Sequence, residues 1–137
     1  MRNTARWAVT LGLTATAVCG TLTGPATAAL YAPSALVLTM GHGIGSATAV
    51  PERAVTLSCA PTPSGTHPAA SAACAELRGT DGDFGAPAPG GQAVCTREYN
   101  PVVITAEGVW QGRRVSYERT YANECVKNAS VTSVFAF

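Results

Sequence analysis

Charge is scarce in this chain. Only 12% of its 137 residues are Asp, Glu, Lys or Arg, and aromatic residues make up 7%. Nine basic and eight acidic side chains, scattered along the sequence, form no basic stripe. That excludes nucleic acid and an anionic membrane surface as partners. No apolar run reaches the length of a membrane-crossing helix, so no membrane span is expected. Histidine occurs twice, as His42 between two glycines and as His67 before a proline, and no GxSxG-like elbow is present. A serine hydrolase has no constellation to work with. There is no CxxC-like knuckle and the histidines are far apart, which leaves no zinc site. Gly41-His-Gly-Ile-Gly45 lacks the strand–turn–helix setting of a dinucleotide loop, so no cofactor is expected. Asp81 and Asp83 sit in a glycine-rich stretch that would leave both solvated. Asn128-Ala-Ser130 fits the glycosylation pattern, too common a match to carry weight. The sequence predicts neither catalytic residues nor a metal.

What is present begins with a leader. Arg2 and Arg6 precede an uncharged apolar run, residues 7–18 (WAVTLGLTATAV). Gly24-Pro25 breaks it, and Ala26-Thr27-Ala28 has the small-x-small form of a signal-peptidase site. Residues 1–28 read as a secretory signal peptide and 29–137 as one extracellular domain; a short buried N-terminal helix is the other reading. Cleavage after Ala28 leaves 109 residues, with seven Lys and Arg against eight acids, a net charge of −1. Cys19 leaves with the leader, and Cys59, Cys74, Cys95 and Cys125 remain. Four cysteines in a small secreted chain read as two disulfides, with three pairings open. Sequential pairing would close loops each worth about 3–4 kcal/mol in the chain-entropy model. Fully paired, the cysteines leave no thiol nucleophile.

The remaining pattern alternates strands with turns. Residues 35–40 (ALVLTM) are a short apolar strand running into Gly41-His42-Gly43. In residues 53–59 (RAVTLSC) Val55, Leu57 and Cys59 alternate with Thr56 and Ser58, a half-buried strand. Residues 61–65 read as a connector. Thr66 as cap, Pro68 in the first turn and Gly79 at the end predict an alanine-rich helix with Cys74 on its inner face. Residues 80–92, rich in glycine and proline, read as a loop that buries little. Val102-Val-Ile-Thr105 is the strongest strand signal. Glu107-Gly108 and Gln111-Gly112 punctuate a turn region around Trp110, and residues 113–121 (RRVSYERTY) alternate again, so a long hairpin is expected. A short turn or helix near 126–130 follows, and the apolar end, residues 134–137 (VFAF), is expected to pair into the sheet. The sum is an α+β domain: an antiparallel sheet of about five strands with one or two short helices on one face.

One stretch has no structural role in this scheme, the segment VCTREYNP at residues 94–101. Cys95 ties it down and Pro101 stiffens its far end, with Arg97 displayed between them. The pattern admits a simple edge loop. It also admits a rigid segment of the kind a protease reads as substrate and a protease inhibitor offers, because ordering is complete before binding.

Eight stretches in register bear on that choice: residues 30–39 (LYAPSALVLT), 49–57 (AVPERAVTL), 65–70 (GTHPAA), 99–103 (YNPVV), 108–112 (GVWQG), 115–119 (VSYER), 123–125 (NEC) and 133–137 (SVFAF). Together they resemble the Streptomyces subtilisin inhibitor family across essentially the whole mature chain. The resemblance implies a secreted homodimer, associated through its sheets, in which each subunit binds one serine protease. It implies the disulfides Cys59–Cys74 and Cys95–Cys125. It places the reactive bond at Arg97–Glu98, with Cys95, Thr96 and Tyr99 as further loop contacts and Asn123 bracing the loop from behind. The family's best-known member has proline and methionine where this chain has Thr96 and Arg97, and aspartate at the position of Asn100. A guanidinium suits the buried carboxylate of a trypsin-like pocket. Inhibition of trypsin-like and subtilisin-like proteases is therefore expected. A non-inhibitory binding or structural module on the same fold is the alternative. Trp110 and Tyr117 read as sheet packing or dimer contact, and Arg113 and Arg114 as a solvated strand end.

Overall fold

The computed structural model describes residues 31–86 and 94–137, and its sheet is built outward from a central strand, β1 (Ala35–His42). Leu36, Leu38 and Met40 alternate with Ala35, Val37 and Thr39, and the first set is buried. β2 (Arg53–Ser58) and β4 (Val102–Trp110) pair with β1 on either side; β3 (Ser64–Gly65) and β5 (Arg113–Tyr121) form the edges. Every pairing is antiparallel, in the order β3-β2-β1-β4-β5. β4 and β5 are joined by Gln111-Gly112, with φ of 47° and 78°. Two consecutive positive φ values are what a two-residue hairpin turn of the primed type demands.

The alternation gives the sheet two unlike faces. Leu57, Val102, Ile104 and Ala106 join the buried β1 residues on one of them. Helix α1 (Ala70–Gly79) covers that face with Ala73, Cys74 and Leu77, beside Val134 and Phe135 of a 3-10 turn, Ser133–Phe135. Each such aliphatic side chain contributes about 1.5–3 kcal/mol through burial. The Cys59–Cys74 disulfide, Cα–Cα 5.5 Å, fixes α1 to the end of β2. The Glu76 carboxylate accepts from the Ser133 backbone N–H at 2.9 Å and from its hydroxyl, joining α1 to the turn. The opposite face is uncovered around Val37, Thr56, Glu107 and Ser116, which are all exposed or half-buried.

Five expectations need correction. Thr66 does not cap α1: its hydroxyl accepts from the Thr56 backbone N–H at 2.9 Å and its own N–H donates to the Thr56 hydroxyl at 3.1 Å, and the helix starts at Ala70 without a side-chain cap. The connector at 61–65 ends in β3. Glu107-Gly108 is no turn but lies within β4. The apolar end is not a strand; it folds as the 3-10 turn under α1, and His67 meets Phe137 edge-on. Phe84, in the loop expected to bury little, packs on Tyr117 and Phe135. The expected leader, and with it the expected boundary after Ala28, falls outside the described residues, as does part of the 80–92 loop.

Candidate functional site

The pairing of β4 with both of its neighbours continues slightly beyond its start. The Asn100 N–H donates to the Ala122 carbonyl at 3.0 Å, and the Gly43 N–H donates to the Pro101 carbonyl at 2.9 Å. Upstream of these anchors, residues 94–100 belong to no helix or strand, and every one except Cys95 is exposed, with Tyr99 at 71%. Arg97 therefore lies in an exposed segment held at both ends. On the far side Cys95 is joined to Cys125, Cα–Cα 5.7 Å. Both disulfides are those the family resemblance implies.

Between the anchors the support comes from one residue. Asn123 is 8% exposed and precedes helix α2 (Glu124–Ser130) as its N-cap, its Oδ1 accepting from the Val126 N–H at 2.9 Å. Its Nδ2 donates twice, to the Thr96 carbonyl at 3.2 Å and the Glu98 carbonyl at 2.8 Å. The cap fixes which end of the amide faces the loop, because a reversed amide would set oxygen against two carbonyls. In extended backbone successive carbonyls point to opposite sides. A segment in that conformation with the carbonyls of Thr96 and Glu98 turned toward Asn123 would turn the Arg97 carbonyl between them the other way. Residues 95, 96, 98 and 100 are thus all tied to the short stretch 122–125.

Both histidines have structural partners. His67 is buried, its Nδ1 accepting from the Ala69 N–H at 3.0 Å and its Nε2 donating to the Val134 carbonyl at 3.1 Å. His42 Nδ1 lies 2.8 Å from Glu52, whose carboxyl that hydrogen bond holds below the usual range. Among the described residues, no group of three or more His, Cys, Asp or Glu is arranged to hold a metal ion.

Sequence reading missed one contributor: Gly43 meets Pro101 only through the β1–β4 pairing, and no local signal marks it. Val94, at the start of the stretch singled out from the sequence, is fully exposed.

A small domain of this architecture, with an exposed segment stapled and braced from behind, defines a class of binding protein that presents its own backbone to a partner. Comparison with known proteins specifies which. The family model of subtilisin inhibitor-like domains matches residues 32–123, and the chain belongs to that family. A subtilase-type protease inhibitor of Streptomyces coelicolor is 71% identical over the full length of both chains, and a trypsin inhibitor of Streptomyces longisporus is 64% identical, again over both full lengths. Among solved structures, Streptomyces caespitosus sermetstatin in complex with Bacillus licheniformis subtilisin is similar, with a TM-score of 0.69 and 46% identity. The match covers 77% of this chain and 99% of that one. The family is one of protease inhibitors, not of enzymes.

Proposed function

We propose that the protein is a secreted inhibitor of trypsin-like and subtilisin-like serine proteases, acting as a substrate whose reactive bond is Arg97–Glu98. The observation that carries this reading is the pair of hydrogen bonds from Asn123 to the Thr96 and Glu98 carbonyls, one on each side of that bond. The loop enters the protease cleft as an extended strand and offers the Arg97 carbonyl to the catalytic serine. Arg97 fills the primary pocket, where a buried carboxylate gives charge-assisted, bidentate contact; Cys95, Thr96 and Tyr99 line the cleft to either side. After attack the new amine on Glu98 stays in place, because Asn123 and the Asn100 and Pro101 anchors hold its segment. Re-ligation then competes with hydrolysis. The names of the relatives support both target classes, and the complex with subtilisin supports the second. The expected leader at 1–28 supports secretion, and the open part of the sheet's other face supports a homodimer.

Titration of trypsin with the purified protein tests the reading. Stoichiometric loss of activity is expected. Arg97→Glu should weaken trypsin inhibition by orders of magnitude with the thermal midpoint unchanged. Rapid digestion after Arg97 without inhibition would instead mark a non-inhibitory module, and undiminished inhibition by Arg97→Glu would mean the bond lies elsewhere.

A further inference from the structure

A protease–inhibitor interface of standard size buries about 800 Å² on each partner and engages roughly 20–30 residues a side. The displayed stretch 94–100 is far too short to supply that alone. The segments that complete the interface have to lie at the same end of the sheet. The loop joining β1 to β2 is hydrogen-bonded directly to the base of the reactive segment, through Gly43 and Pro101 at 2.9 Å. It is also pinned to β5. The Thr120 hydroxyl donates to the Ile44 carbonyl at 3.3 Å, and the Ser46 backbone N–H and hydroxyl both donate to the Glu118 carboxylate, the former at 3.0 Å. Gly43 has a φ of 153°, and a Cβ there would stand 2.7 Å from that of Ala49, so the loop closes tightly on itself. On this fixed backbone Ile44 is 70% exposed. A large apolar side chain held in water on a rigid support is ready to bind without further ordering.

We infer, on the basis of the inhibitor reading above, that the loop at residues 43–50 is a second contact surface for the protease held at Arg97, with Ile44 as its apolar anchor. Its attachment to Pro101 places it on the side of the reactive bond that follows Glu98. It therefore meets the rim of the cleft on the leaving-group side, outside the primary pocket. A contact there is indifferent to what the primary pocket prefers, so it strengthens binding to trypsin-like and subtilisin-like enzymes alike.

The test measures inhibition constants of the full chain and of Ile44→Ala, Ile44→Asp and Tyr31→Asp against trypsin and a subtilisin. Tyr31 is exposed at the opposite end of the sheet, where the Gly112 N–H donates to the Pro33 carbonyl, and serves as control. Ile44→Ala should raise both constants roughly tenfold, and Ile44→Asp about a hundredfold, as expected for losing a buried aliphatic contact. The change should appear mainly in dissociation, and Tyr31→Asp should change neither constant. Unchanged constants for Ile44→Asp overturn the inference. So does a fall in sedimenting mass of that variant, which would assign Ile44 to contact between copies of the chain. If the unaltered chain inhibits neither enzyme, the inhibitor reading fails and takes this inference with it.

Discussion

Asn123 uses one side-chain amide in two ways, its oxygen capping α2 and its nitrogen spanning the proposed reactive bond. The two roles are separable by substitution. Serine is a good N-cap but is too short to donate to two carbonyls of the loop. Asn123→Ser should therefore keep the thermal midpoint within a few degrees while the loop loses two hydrogen bonds, each worth about 0.5–1.5 kcal/mol. Cleavage of Arg97–Glu98 by catalytic trypsin, followed by mass spectrometry, should accelerate at least about tenfold. A variant as resistant as the wild type would show the brace to be idle. Arg97 was legible in the sequence because its signal is local, a cysteine and a proline bracketing a charge in a charge-poor chain. The brace was not, since its acceptors lie 25 and 27 residues upstream. Only the resemblance to a family pointed to Asn123.

Helix α2 holds the brace in place and is itself anchored by a lysine. Lys127 is 2% exposed; its Nζ approaches the Met40 sulfur at 3.3 Å and the Phe135 carbonyl at 3.4 Å, with no carboxylate in hydrogen-bonding contact among the described residues. Burial lowers its pKa below the ordinary lysine value. The folded protein therefore releases this proton at a lower pH than the unfolded chain does. Between those two values the unfolded chain binds more protons, so stability rises with pH there, and below the folded value the full penalty of a buried cation applies. Lys127→Met should raise the thermal midpoint at neutral pH by a few degrees and abolish the rise on the alkaline side. Midpoints recorded in steps from neutral pH upward decide the matter: a flat wild-type profile, or a variant less stable at neutral pH, refutes the account. At this scale the sequence was readable where period-two alternation dominates, as in β1, β2 and the hairpin. It misled where a residue had two possible uses. Thr66 has the chemistry of a cap, yet Thr56 lies opposite and takes its hydrogen bonds. The terminal VFAF is apolar enough for a strand, but the space under α1 is filled better by a tight turn.

One face of the sheet is buried under α1; the other is covered at one end, over Val103, by the loop that follows β1 and is open elsewhere, where Val37 on the central strand is 46% exposed. An exposed apolar centre flanked by Thr56 and Glu107 would suit a second copy related by a two-fold axis, where the same patch meets itself. Val37→Asp would place like charges against each other there. It should halve the sedimenting mass while leaving stoichiometric trypsin inhibition intact, because the reactive loop lies beyond the end of the strands. An unaltered mass would exclude that face as the interface. Chain order adds a consequence for the fate of the loop. Everything up to α1 precedes Arg97, and β4, β5 and α2 follow Glu98. A cut between them would fall, in space, along the seam where β1 and β4 are paired over eight residues. The two products would remain joined by that ladder and by Cys95–Cys125. On a gel without reductant a nicked molecule would run as one band, and with reductant as two, so spent and intact protein can be told apart by a thiol alone.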